Sequence, residues 1–255
     1  MLEWLQRLFW GEHAAPKPPP QATPEELKSY RLPELPAALN GNDPVKRREA
    51  IDELLRKADP RAPAFEDDKL AKQVLRLRLE SDWKQRSSAA QELGNSGDAR
   101  VLPWLVDAMT DPNECANTRS HAGGALRELV QRGLVEEVVT LLSHPDETVC
   151  GAAALAFEDS GKVSVVPALL QLLPRESWQA ARSLGSLNAP GVFEALVAAL
   201  DSSDPTFAGN AAMSLAKLGD PRAFEPLEKA RQTWRDKVAP TNALIELRRK
   251  CPKPD

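Results

Sequence analysis

A recurring pattern of small and large apolar residues predicts pairs of helices along most of the chain. Each copy begins with a helix rich in alanine, serine and glycine that closes on a large apolar residue; a glycine turn and a second helix rich in leucine and valine follow. The segment QRSSAAQELGNSGDARVLPWLVDAMTDP at 85–112 shows the pattern most fully. No segment keeps the alternation of polar and apolar residues that indicates a strand. The pattern therefore predicts an all-α fold.

The large apolar residue that closes each small-residue helix sets the length of the repeat. It falls at seven positions with a mean spacing of about 32 residues: Leu54, Leu93, Leu126, Phe157, Leu184, Leu215 and Leu247. Helix pairs at this period are typical of an α-solenoid. We predict a right-handed α-solenoid of about six to seven helix pairs over residues 25–255, in which alanines let neighbouring first helices approach closely.

Two segments carry a resemblance to a known repeat family. SSAAQELGNSGDARVLPWLVDAM (87–109) and AAMSLAKLGDPRAFEPLEKA (211–230) resemble the HEAT-like, armadillo-like repeats of the phycobilisome-lyase type, and the resemblance covers about residues 40–250. It implies that the first helix of each repeat lines a concave binding surface and carries arginine at its second position. The early repeats follow this arginine pattern and the later ones depart from it: Arg47, Arg86 and Arg119 match, whereas Cys150, Ser177, Ala208 and Pro240 do not. This departure indicates that the later repeats have diverged for a particular ligand.

The first helices of the later repeats supply the candidate binding face. With the closing apolar residue counted as position nine and a rotation of about 100° per residue, positions three and seven point away from the buried stripe. These outward positions are polar or small in the first three repeats and include large apolar residues in the last four. The candidate partner-binding residues are Gly151, Leu155, Trp178, Arg182, Gly209, Met213 and Ile245.

Trp178 is the predicted anchor of this face. Tryptophan, methionine and arginine are enriched where interfaces carry binding energy. In both neighbouring repeats a glycine, Gly151 or Gly209, occupies the position that corresponds to Trp178. The sequence therefore predicts an anchor pocket flanked by bare backbone. The alternative is that Trp178 lies flat across Gly151 or Gly209 as ordinary packing between repeats.

A second candidate site lies in the N-terminal segment, residues 1–13. MLEWLQRLFW places apolar residues on one side of a short helix, and a proline-rich linker follows at 14–24. The predicted docking residues are Trp4, Leu5, Leu8, Phe9 and Trp10. A helix this short is marginal alone in water, so it needs a surface to lie against. It could cap the first repeat, dock into a partner, or contact a membrane surface through residues 1–10.

The polar residues offer little for catalysis or metal binding. The chain has three histidines, lacks Cys-x-x-Cys and HExxH spacings, and departs from the phosphate-loop pattern at Ala156 and Val163. The adjacent carboxylates Glu158 and Asp159 are interpreted as solvated turn residues, because acid/base pairs need facing groups in different environments. We therefore predict no catalytic residue, no metal and no cofactor.

Charge is unevenly distributed along the chain, whose net charge is −4. Residues 81–230 carry 12 basic and 20 acidic side chains, whereas residues 231–255 carry 7 basic and 3 acidic ones. Because nucleic-acid binding needs a basic stripe to neutralise phosphates, the acidic body argues against that partner and against a base-excision enzyme. The basic end either matches a helix dipole or docks an acidic partner.

Cysteine content and hydropathy bear on the compartment. Cys115, Cys150 and Cys251 are odd in number and irregularly spaced, which is typical of free thiols in a reducing compartment. No apolar run approaches the roughly 20 residues needed to cross a bilayer. The expected location is therefore the cytoplasm.

These observations predict a non-catalytic scaffold that binds a protein or peptide on the concave face of the later repeats. The resemblance implies an alternative function, a bilin lyase or chromophore-attachment chaperone. A tetrapyrrole that co-purifies with the protein would distinguish the alternative.

Overall fold

The computed structural model describes Leu39 and residues 41–58 and 65–251. Across these residues the secondary structure is helical and contains no strand. The helices are α1 (Pro44–Ala58), α2 (Asp68–Leu79), α3 (Trp83–Ser96), α4 (Leu102–Thr110), α5 (Ala116–Gln131), α6 (Val135–Thr140), α7 (Glu147–Ala156), α8 (Val166–Leu170), α9 (Trp178–Leu184), α10 (Val192–Ala199), α11 (Pro205–Leu218), α12 (Phe224–Thr233) and α13 (Val238–Lys250). The predicted all-α fold of the α-solenoid class is confirmed.

The chain divides between Val138 and Val139 into two compact units. The N-terminal segment 1–13 and the linker 14–24 lie outside the described residues. So do the predicted docking residues Trp4, Leu5, Leu8, Phe9 and Trp10. Their roles, and the domain boundaries drawn from them, stay predictions.

In the first unit, α3 packs along α5, while α2 lies against α3 and α4 against α5. Helices α3 and α5 are the small-residue helices of successive repeats, and their closing residues Leu93 and Leu126 are fully buried. Gly94 shows how closely the two helices approach, because a Cβ added there would lie 2.8 Å from Cα of Ala125. Small residues therefore set the spacing of these helices, as the sequence predicts.

In the second unit, the small-residue helices α7, α9, α11 and α13 contact one another in chain order. Helices α8, α10 and α12 each pack against the small-residue helix that follows. The closing residues are fully buried: Phe157, Leu184, Leu215 and Leu247. Gly185 repeats the role of Gly94, since an added Cβ would lie 2.7 Å from Cα of Ser214.

Two details of the predicted repeat are wrong. On α1 the buried leucine is Leu55 rather than Leu54, because two adjacent leucines left the register of this divergent first copy ambiguous by one residue. The glycine after the closing leucine, Gly94, lies inside α3 rather than in the turn. The turn is made by Gly97, whose φ of 67° is a left-handed conformation that glycine adopts without strain.

Aspartates begin several helices, as expected for residues that accept hydrogen bonds from the first turn. Asp204 accepts from the backbone N–H groups of Thr206 and Phe207 at 2.7 and 3.0 Å, and Pro205 follows it at the start of α11. The predicted Asp-Pro turn before α11 is therefore the start signal of that helix.

Arg86, the second-position arginine of α3, is a buried structural residue with 2% of its side chain exposed. Its Nε and Nη2 donate to the Glu114 carboxylate at 2.8 and 2.6 Å. Its Nη1 donates to the carbonyls of Glu80 and Ser81 at 2.8 and 2.9 Å. The side chain thus ties the loop before its own helix to the loop before the next repeat.

Cys150 occupies the same position in α7 and takes over part of this role. Its thiol donates to the Leu142 carbonyl, in the preceding turn, at 3.1 Å. Burial raises the pKa of the Cys150 thiol, which keeps it protonated as a donor. The departure from the arginine pattern therefore has a structural basis here: a smaller buried donor ties the helix to the turn before it.

Candidate binding face

The predicted partner-binding residues all lie on four helices of the second unit. Gly151 and Leu155 are on α7, Trp178 and Arg182 on α9, Gly209 and Met213 on α11, and Ile245 on α13. These helices are neighbours in chain order, so the fold brings the residues onto one series of packed helices. Whether they bind a partner stays a prediction.

Their exposure is graded. Met213 and Ile245 are exposed at 41% and 46%, and the Arg182 side chain at 52%. Leu155 and Trp178 are half-buried. Met213 and Ile245 occupy corresponding positions on neighbouring helices, and large apolar residues exposed side by side are unusual on a protein that buries its core. We define Trp178, Arg182, Met213 and Ile245 as the late-repeat face.

The predicted glycine pocket around Trp178 is not formed at Gly151. Gly151 is buried, and a Cβ added there would lie 2.5 Å from Nε2 of Gln179. The neighbour of Trp178 on α9 therefore covers this glycine, because its long amide side chain reaches toward α7. At Gly209 the nearest atom to an added Cβ is Cβ of Ala239, at 3.4 Å. The prediction that bare backbone flanks Trp178 on both sides is therefore wrong.

A cluster of charged side chains lies beside the late-repeat face, and the sequence interpretation missed it. Glu158, which follows α7, is buried at 8% exposure. It accepts a hydrogen bond from Nε of Arg182 at 2.9 Å and one from Nζ of Lys217 at 3.3 Å. Lys217 also contacts Asp159 at 2.8 Å. The interpretation of Glu158 as a solvated residue is wrong, because these two cations from α9 and α11 allow its carboxylate to be buried.

A signal for this cluster is present in the sequence. Glu158 directly follows the closing residue Phe157. The corresponding residues of three other repeats, Gly94, Gly185 and Ala216, are small and buried, whereas Arg127 and Arg248 occupy this position in two more. A carboxylate at a position that is small and buried in the two repeats that follow requires partners, so cations on those repeats were the residues to look for.

Opposing effects act on the pKa of Glu158. Burial raises the pKa of this carboxyl group, but the hydrogen bonds and charges of Arg182 and Lys217 outweigh burial and lower it below its usual value. The ionised carboxylate is therefore the stable form in the folded unit.

Glu158→Gln should reduce the dependence of stability on acid pH. The lowered pKa means that Glu158 stabilises the fold fully above the unfolded value of about 4.5 and loses this contribution as pH falls through the folded value. Near neutral pH we expect the free energy of unfolding of the variant to be about 1–3 kcal/mol lower than that of the wild type. The gap should close on acidification, as measured by urea unfolding at several pH values.

Glu194→Gln is the matched control, because its partner Arg222 and Glu194 itself are both more than 60% exposed. It should change stability little at any pH. A Glu158→Gln variant that follows the wild-type pH curve would contradict the proposed burial of an ionised Glu158.

A separate surface cleft of about 630 Å³ lies between the turns before α10 and α12. Gly191, Phe193 and Arg222 line it, and the Arg222 guanidinium lies 4.1 Å from the Phe193 ring centroid. Arg222 also pairs with Asp220 at 2.7 Å and with Glu194 at 3.2 Å. The cleft contains none of the predicted site residues.

Among the described residues, His, Cys, Asp and Glu side chains do not form a group of three or more that could hold a metal ion. In the same part of the chain, no helix combines the length and the hydropathy of a membrane span.

Residues 174–248, which include the late-repeat face, match the family model of HEAT repeats. This match confirms the predicted HEAT-like repeats for residues 174–248. It does not distinguish the phycobilisome-lyase type from other HEAT repeats. No curated protein matches the sequence significantly.

Solved structures show similar helical arrangements at low sequence identity. An engineered protein is 20% identical, with 71% of this chain and 97% of that chain covered and a TM-score of 0.39. YibA of Escherichia coli is 15% identical, with 92% and 100% covered and a TM-score of 0.39. Human deoxyhypusine hydroxylase is 17% identical, with 88% and 95% covered and a TM-score of 0.33. TM-scores this low carry no argument about function.

Proposed function

We propose that the protein is a non-catalytic scaffold whose late-repeat face binds a protein or peptide. The observation that carries the proposal is the exposure of Met213 and Ile245 at corresponding positions of the neighbouring HEAT-repeat helices α11 and α13. Exposed apolar side chains rimmed by polar residues are typical of protein interaction sites.

The side chains of this face suit adaptable recognition. Met213 has an unbranched, polarisable side chain that fits irregular partner surfaces. Trp178 offers a large apolar ring at the first residue of α9, and Arg182 presents a half-exposed guanidinium one turn later. Tryptophan and arginine are the residues most enriched among those that dominate binding energy.

The partner is a protein or peptide, and we place the scaffold in the cytoplasm on the strength of its free thiols. The bilin-lyase alternative rests on the resemblance to the phycobilisome-lyase repeats. Within the described residues no observation favours it. A tetrapyrrole absorption band in the purified protein would revive it.

Trp178→Ala combined with Met213→Asp should abolish partner capture. Removing the aromatic anchor and placing a charge in an apolar contact should each weaken binding by at least tenfold. The measurement is affinity capture from native lysate by wild type and variant, read by mass spectrometry. Circular dichroism should show unchanged helix content.

Ile245→Asp is a second variant, because Ile245 is exposed and its substitution leaves the core intact. Val163→Asp is the matched control, since Val163 is a 54% exposed apolar residue in the turn before α8. Capture profiles identical among wild type, both face variants and the control would overturn the proposed function.

A further inference from the structure

We propose that the late-repeat face selects an acidic segment of its partner, one that carries carboxylates beside apolar anchors. This inference rests on the proposed function and adds the chemistry of the partner. It derives from the cations that accompany the apolar residues on α9, α11 and α13.

Each of the three apolar residues is followed one helical turn later by a cation. On α9 Arg182 follows Trp178, on α11 Lys217 follows Met213, and on α13 Arg249 follows Ile245. Residues four apart lie on the same face of a helix, so each cation neighbours its apolar residue. Three adjacent helices thus repeat one pattern: an apolar contact with a positive charge next to it.

The cations keep exposed surface. The side chains of Arg182, Lys217 and Arg249 are exposed at 52%, 35% and 74%. Glu158, the carboxylate shared by Arg182 and Lys217, is itself buried, so it holds the two cations in place from beneath. Arg249 contacts Glu246 on its own helix at 3.4 Å, the weak geometry of an exposed pair.

A fourth cation extends the group. Nζ of Lys250 donates to the Lys217 carbonyl at 2.7 Å, which carries its charge from the end of α13 to the end of α11. Arg182 and Lys217 lie within residues 81–230, which carry 12 basic and 20 acidic side chains, whereas Arg249 and Lys250 lie within residues 231–255, which carry 7 basic and 3 acidic ones. Lys217 also contacts the exposed Asp159 at 2.8 Å. The exposed parts of the cations next to Met213 and Ile245 are complementary to an acidic partner.

Helix spacing defines how such a partner fits. Packed helices lie about 8–10 Å apart, which matches three residues of an extended strand or about two turns of a helix. A segment with apolar anchors at that spacing and Asp or Glu next to each anchor would meet both the apolar residues and the cations.

Three labelled synthetic peptides test the inference on the full chain. They share the same apolar anchors and differ only in carrying Glu, Gln or Lys at the positions between them. Fluorescence anisotropy at about 0.1 M salt should show the Glu peptide binding about tenfold more tightly than the Gln peptide and more tightly still than the Lys peptide. The preference should shrink as salt is raised.

Charge reversal on the protein supplies the matched comparison. Arg249→Glu should remove most of the preference for the Glu peptide. Arg231→Glu should retain it, because Arg231 forms a similar pair with Glu228 three residues earlier on α12, which lies outside the face. Both arginines are exposed, so neither change should disturb folding.

The outcomes separate this inference from the proposed function. Equal affinity for the three peptides, lost in Trp178→Ala with Met213→Asp, would overturn the acidic preference and leave the scaffold function standing. Absence of binding by all three peptides would also overturn the inference. So would tighter binding of a peptide with the sequence Met1–His13 than of the Glu peptide, because that would make the chain's own N-terminal segment the preferred occupant.

Discussion

Glu114→Ala is expected to lower the free energy of unfolding by about 3–5 kcal/mol. The change removes the carboxylate that receives two hydrogen bonds from Arg86 and leaves the guanidinium buried at 2% exposure without its counter-charge. An uncompensated buried charge is among the most destabilising states a fold can adopt. Urea unfolding followed by circular dichroism measures the loss.

Two further variants test whether the buried charge of Arg86 causes the loss of stability in Glu114→Ala. Asp52→Ala breaks a half-buried pair with Arg48 in the same unit, where Arg48 keeps its second carboxylate partner Asp68, and should cost less than about 1 kcal/mol. Arg86→Met with Glu114→Leu removes both charges and should recover part of the stability, although the carbonyls of Glu80 and Ser81 lose their donor. A Glu114→Ala variant as stable as Asp52→Ala would show that the Arg86 pair does not hold the repeats together.

Gly94→Ala is expected to destabilise the first unit by about 1–3 kcal/mol, although alanine is the better helix former. The added methyl group would lie 2.8 Å from Cα and Cβ of Ala125 and 2.9 Å from its carbonyl oxygen. Backbone atoms cannot move aside as the end of a flexible side chain can, so α3 and α5 would have to separate. Thermal and urea unfolding both report the change.

Gly124→Ala is the matched control on α5. No atom lies within 4 Å of the Cβ that alanine would add there, and the residue is exposed within the helix. It should stabilise the protein by about 0.5–1 kcal/mol through helix propensity alone. The two glycine variants should therefore change the free energy of unfolding in opposite directions. Equal changes would contradict the close contact between α3 and α5.

Much of the fold could be predicted from the sequence, because it depends on helix periodicity and helix capping within each repeat. The closing residues from Leu93 to Leu247 are buried since they end the apolar stripe of each small-residue helix. Asp204 begins α11 because aspartate caps helices wherever the following N–H groups need an acceptor. The positions of Met213 and Ile245 away from the core follow from helical geometry alone.

The ion pairs between repeats could not be predicted from the sequence. Lys217 reaches Glu158 across 59 residues of sequence, and Arg86 reaches Glu114 across 28. Such pairs depend on the side-chain conformations of residues in neighbouring repeats, which the period of the repeat does not specify. The same reason accounts for Gln179, whose side chain rather than that of Trp178 is nearest to Gly151.

Site-specific photo-crosslinking tests the binding role of the late-repeat face most directly. A photoreactive phenylalanine analogue is placed at Met213 in one variant and at Val163, an exposed position in the turn before α8, in another. If the late-repeat face binds a partner, the variant with the analogue at Met213 should crosslink a partner protein and the variant with the analogue at Val163 should not. Adding Ile245→Asp should abolish the crosslink at Met213. Crosslinks of equal yield at both positions, unaffected by Ile245→Asp, would contradict the account.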